Sequence, residues 1–399
     1  MARPARALLV VALASGCLEA PPDSAPAGGD RDASPDGGPG SLTFPPSGAD
    51  VSIEAAIAAD VDSDGLEDLV LLDGDVSDDW AGLYILRAGP DGWTGIDEVR
   101  LDFRPSAVRF GRLLRAGGST LAVGGQHGEV VLVDYTADAD YEIVPLTFDP
   151  PPEAVALLHS GVVTAGDLRA SLLLYDGTQL YRSTPIDEVN GMQLELLNAG
   201  NVLDAAFWPL DATEVSTYSA SRMDDRLDWY TAEDAGGGLD VELTAARFAH
   251  LVSGLCGSFL AVGTDQSLSI GSISCDGMSS SLDPLLGDGL DEIVAMAAGD
   301  LAGTVKHDVA LLGYLDGSLF GQVLIDINFA VDAYSPGQTT DLFPLDGLVP
   351  EKVFLTPADV EGTGEAAIYA VAPSGSIYCA AVVSDQIEIC PGRWTVKAR

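Results

Sequence analysis

Only three lysines, Lys306, Lys352 and Lys397, occur in the chain, and its basic residues number 19 against 61 acidic ones. So few cations cannot form the stripe that neutralises phosphates, which excludes nucleic acid and an anionic membrane face as partners and leaves neutral or cationic ones. The four histidines, His127, His159, His250 and His307, are scattered and share no motif. No G-x-S-x-G elbow, H-E-x-x-H helix, P-loop or dinucleotide fingerprint occurs either. Acidic pairs such as Asp78 with Asp79 and Asp224 with Asp225 arise by chance among 61 acids and read as solvated faces. The expectation is a protein that is not an enzyme. Long apolar runs are also missing: the stretch Ala7 to Ala14 is too short to span a bilayer, and no other segment could cross one.

Apolar material is nevertheless abundant. Hydrophobic residues make up 47% of the chain beside a formal charge of −42, a combination that a disordered acidic polymer does not show. At the N-terminus, Arg3 and Arg6 precede the Ala7–Ala14 run and small residues follow, which is the order of parts in an export signal. The stretch Leu13-Ala14-Ser15-Gly16-Cys17 resembles a bacterial lipoprotein signal, and that resemblance implies lipidation of Cys17 and attachment to the cell envelope, at the outer membrane. Several acyl chains would supply stable anchoring. Residues 18–42, dominated by Pro, Gly, Asp, Ser and Ala, read as a disordered tether, with residues 43–399 as the folded part.

With Cys17 set aside, four cysteines remain in a chain bound for an oxidising compartment. Cys379 and Cys390 lie in two strand-like runs flanking Ser384 and Asp385. If those two residues form the turn, the cysteines sit directly opposite each other and form a hairpin disulfide. Cys256 and Cys275 then pair by elimination.

From residue 50 onward, short β-type runs alternate with Gly, Asp, Pro or Ser, without a sustained helical period. Seven segments can be written beneath one another, with first strands centred near Ile57, Val108, Val155, Leu203, Phe248, Val294 and Phe354. Aligning Gly111 onward with His250 onward superposes Leu-Ala-Val-Gly at 121–124 on the same tetrapeptide at 260–263. A four-stranded antiparallel sheet repeated seven times leaves only short, protected edges when it closes on itself. An all-β, seven-bladed β-propeller is therefore expected.

The sharpest motif is AADVDSDGLEDLVLLDG, residues 58–74. Asp60, Asp62, Asp64 and Asp68 occupy positions 1, 3, 5 and 9 of a loop, Gly65 supplies the turn at position 6, and the Leu66 carbonyl is available at position 7. Hard oxygen donors at that spacing wrap Ca2+. An EF-hand would need a bidentate glutamate at position 12, where Leu71 stands inside an apolar, strand-like run. The loop and its strand resemble the FG-GAP or VCBS repeat of integrin-α-type propellers, with the pattern D-x-D-x-D-G-x-x-D-L followed by aliphatics. The resemblance implies that Asp60, Asp62, Asp64, Asp68 and the Leu66 carbonyl ligate calcium between the first two strands of a blade. Two further loops, 300–308 and 359–367, carry degenerate versions, in which Ala302 and Thr304, or Thr363 and Ala367, replace acids.

The expected function is a lipid-anchored, calcium-stabilised propeller acting as a binding or adhesion module for a protein or glycan ligand. DGDVSDDW (73–80, with Trp80) and SRMDD (221–225) are candidate recognition loops on the ring face opposite the metal. The alternatives are a propeller enzyme, such as a polysaccharide lyase or a cofactor-dependent dehydrogenase, or a structural partner in an envelope complex.

Overall fold

A computed structural model describes residues 42–398 except for connecting segments, of which 112–119, 162–170 and 345–352 are the longest. Among the described residues, seven sheets of four or five strands follow one another along the chain, spanning 53–100, 105–145, 147–199, 205–240, 247–285, 292–344 and 354–389. Each is built on an antiparallel meander of consecutive strands; the third adds a parallel edge strand, and in the sixth two short segments, Gln338–Thr339 and Phe343–Pro344, pair with the third strand Ser318–Ile325. Their first strands pack in order. Ile53–Ala59 lies against Pro105–Gly111, which lies against Leu157–Gly161, then Ala205–Pro209, Arg247–Ser253, Glu292–Gly299 and Phe354–Ala358, which returns to Ile53–Ala59. The chain is a β-propeller, and the sheets are called blades 1 to 7 below.

The strand Asp68–Asp73 shows why the blades stack. All six of its residues are buried, because alternate side chains serve opposite faces. Leu69 and Leu71 join a cluster with Tyr369 and Val371 of blade 7, while Val70 and Leu72 join one with Val108 and Val123 of blade 2. A strand covered on both faces needs a continuous apolar run, which is what Leu69 to Leu72 provides. In blade 2, Leu121 and Val123 face blade 1, and Ala122 and Leu132 face blade 3.

The ends of the ring meet. Leu42–Phe44 pairs in parallel with Val396–Ala398. Phe44 is fully buried and packs edge-to-face on Tyr84 of blade 1, with ring centroids 5.2 Å apart. Cys379 and Cys390 form a disulfide across the outer hairpin of blade 7, with Cα atoms 5.5 Å apart in the register set by Val383 opposite Gln386. Closing a loop with a sequence separation of 11 removes unfolded-state entropy, so reduction should cost about 3 kcal/mol, read as a lower melting temperature in dithiothreitol. Cys17, Cys256 and Cys275 lie outside the described residues, as do the N-terminal segments before residue 42.

Two details of blade 3 differ from the sequence expectation. Blade 3 gains a fifth strand, Thr147–Asp149, added in parallel to its outer strand Gly191–Ala199, and this buries Phe148 between blades 2 and 3. Val155 precedes the first strand of blade 3 instead of lying within it. It is 1% exposed, and its N–H donates to the Gly125 carbonyl of blade 2, so its apolar character reports burial at a blade junction.

Candidate metal centre

The loop 60–67 joins the first two strands of blade 1, and the related loops after Asp300 and Asp359 occupy the same place in blades 6 and 7. Residues 304–307 lie outside the described residues. In blade 1, Ser63 (φ 61°) and Gly65 (φ 90°) are left-handed, which curls the backbone around the Asp60 carboxylate. Asp60 accepts the N–H groups of Asp64 at 3.0 Å and Gly65 at 3.1 Å, and Asp64 accepts that of Leu66 at 2.9 Å. Carboxylate oxygens of Asp60, Asp62 and Asp64 come within 4.8 Å of one another. Two oxygens bound to one calcium at about 2.3–2.6 Å can be at most about 5 Å apart, so these three fit one hard divalent ion.

Blade 7 supplies a comparison inside the same molecule. Asp359 accepts the N–H groups of Thr363 at 3.0 Å and Gly364 at 2.7 Å, and Gly364 has φ 85°. The turn therefore closes around one aspartate without acids at the positions of Asp64 and Asp68. Thr363 accepts the Glu365 N–H there as Asp64 accepts that of Leu66, so in blade 1 the Asp64 carboxylate adds charge to a turn whose shape a neutral hydroxyl can serve.

Asp68 is held differently. It is 1% exposed and accepts the N–H of Ala88 at 2.8 Å and of Val61 at 3.3 Å, bracing the loop against the end of the strand Gly82–Arg87. Asp308 of blade 6, also fully buried, accepts the N–H groups of Leu301 and Ala302 in the same manner. The ninth position thus serves the backbone in both blades. Burial pushes the Asp68 carboxyl up to about 7. Burial first, then the nearby charges of Asp62 and Asp60, raise Asp64 above the ordinary carboxylate range despite its bond from Leu66. The Leu66 side chain packs toward Gly362 of blade 7.

Three residues at this site carry no motif. Glu67 accepts the Asp359 N–H at 2.6 Å while its own N–H donates to the Asp359 carbonyl at 3.1 Å. Ala366, which follows Asp359 by the same interval as Glu67 follows Asp60, donates its N–H to the Asp300 carbonyl at 2.9 Å. The loops of blades 6, 7 and 1 are thereby stitched through equivalent positions. Arg87 pairs with both Asp62 and Asp97. Its charge is disfavoured by burial but held by hydrogen bonding to Tyr135 and by the field of Asp62, which together raise its pKa. The available sequence signal was that Arg87 is the sole basic residue from 60 to 99.

Of the proposed recognition loops, residues 75–81 with Trp80, and Asp224 with Asp225, lie outside the described residues. Among the described residues no helix is long and apolar enough to cross a membrane.

No protein-family model matches the chain, and no curated protein does either. Solved structures do match. The BBS1N domain in complex with ARL6DN, soaked with mercury, has a TM-score of 0.53 at 14% identity, covering 86% of this chain and 95% of that one. The lead-soaked form has 0.55 at 11%, covering 84% and 94%. The β-propeller domain of Myceliophteria thermophila Cps50 (Swd1) has 0.50 at 12%, covering 85% and 97%. At these identities the likeness shows the fold, and the fold is the β-propeller.

Proposed function

We propose that this chain is a calcium-stabilised β-propeller of the integrin-α-like FG-GAP type, carried on the bacterial envelope by lipid at Cys17 and working as a non-catalytic module that binds another protein. The observation that carries the calcium reading is the pair of matched turns. Blade 7 closes the same turn around Asp359 with Thr363 where blade 1 has Asp64, whereas blade 1 gathers three carboxylates, Asp60, Asp62 and Asp64, within 4.8 Å, at an electrostatic cost that a divalent ion offsets. The ion would be held by those carboxylates, with the Leu66 carbonyl added by the family resemblance, and would fix the start of blade 1; Asp68, which the resemblance also names as a ligand, uses both oxygens for the N–H groups of Ala88 and Val61 and braces the loop instead. Extracellular modules of this kind bind with Kd of about 10⁻⁴ to 10⁻³ M, so 10 mM calcium should stabilise by about 1.4–2.7 kcal/mol. In a domain of this size that is about 2–4 °C in Tm over the same protein in EDTA, with no change in secondary-structure content. Equal melting temperatures would reject the calcium reading.

For the ligand, BBS1N offers the analogy of a propeller in complex with a protein. The net charge of −42 favours a neutral or cationic partner. A pull-down from envelope extracts alongside a glycan array, each with and without calcium, separates the protein reading from a glycan one. Membrane fractionation of a Cys17→Ser variant tests the anchor: release from the membrane is expected, and unchanged retention would count against lipidation at that residue.

A further inference from the structure

Arg87 closes the strand Gly82–Arg87 and is positioned by two blades at once. Its Nη2 meets Asp62 and its Nη1 donates to Asp97 at 3.0 Å. The guanidinium lies 4.8 Å from the ring centroid of Tyr135 in blade 2. The Tyr141 hydroxyl, also from blade 2, donates at 2.8 Å to the same Asp97 oxygen, and the two tyrosine rings pack edge-to-face at 5.3 Å. The side chains of Arg87 and Asp62 are only 18% and 10% exposed. Pinned from so many sides, the guanidinium is a fixed positive charge at the rim of the aspartate turn, and it uses a carboxylate that a metal would also need.

The geometry points to Arg87 as a positioning residue that sets the calcium affinity of the turn: a built-in counter-cation that holds Asp62 when no metal is bound, lowers affinity when one is, and ties the blade 1 loop to blade 2. This inference rests on the calcium reading above. A unit charge a few ångströms from a divalent ion is strongly repulsive even with the screening of a half-buried site, so its removal should tighten binding by about tenfold.

The test is calorimetric titration of calcium into the full chain, with melting in EDTA, for wild type, Arg87→Gln and Arg87→Lys. Arg87→Gln should bind calcium about tenfold more tightly yet melt lower in EDTA, whereas Arg87→Lys, which keeps the charge, should stay within about threefold of wild-type affinity. Binding by Arg87→Gln that is no tighter than wild type overturns the role of Arg87 and leaves the calcium reading standing. Should Arg87→Gln fail to fold, Asp97→Asn answers instead: it leaves the guanidinium to Asp62 alone and should weaken calcium binding, and unchanged affinity overturns the inference. Binding by the variant alone supports it. No binding by any protein at 10 mM calcium removes the calcium reading and this inference together.

Discussion

Replacing Phe44 by alanine should lower stability by about 3–5 kcal/mol, the largest effect expected of a single substitution here. The side chain has no exposed surface and belongs to the cluster between blades 7 and 1, with Tyr84, Tyr369 and Val371. Its strand is paired in parallel to Val396–Ala398, so the cavity opens where the two ends of the chain complete the ring. Denaturant unfolding followed by tryptophan fluorescence measures the loss. Thr43→Ala, on the same short strand but at an exposed position, should cost less than about 1 kcal/mol. A Phe44→Ala cost as small as that of Thr43→Ala would mean that the terminal strand does not hold the ring.

The second large effect separates two aspartates that the motif treats alike. Asp68→Ala leaves the buried N–H groups of Val61 and Ala88 without their acceptor, which should cost about 2–4 kcal/mol whether or not calcium is present. Asp60→Ala removes an acceptor from an exposed turn, so in EDTA it should cost no more than about 1 kcal/mol. It should also abolish the calcium-dependent rise in Tm. If Asp60→Ala were as damaging in EDTA as Asp68→Ala, the division into a backbone brace and a metal ligand would be wrong.

Both substitutions show what was legible in the sequence. The run Leu69–Leu72 reports burial on both faces, and the cysteine spacing reports the hairpin register, because each is a local pattern with a single geometric meaning. The placement of the aspartate loop between two strands was also local. What the sequence could not show comes from stacking. Arg87 lies 25 residues from Asp62 and in a different strand from Asp97, and only the blade 1 meander joined to blade 2 brings these groups and Tyr135 together. Glu67 reads as a spacer in the repeat until blade 7 is placed beside it, 292 residues away. Val155 looked like a strand centre because an apolar residue at a blade junction carries the same signature as one in a strand.

A crystal of the full chain grown in millimolar calcium, with anomalous diffraction recorded, tests the metal site most directly. The expected result is one peak with oxygens of Asp60, Asp62 and Asp64 at about 2.3–2.6 Å and Arg87 still touching Asp97. A turn with no peak, its Asp62 paired only with Arg87, would contradict it.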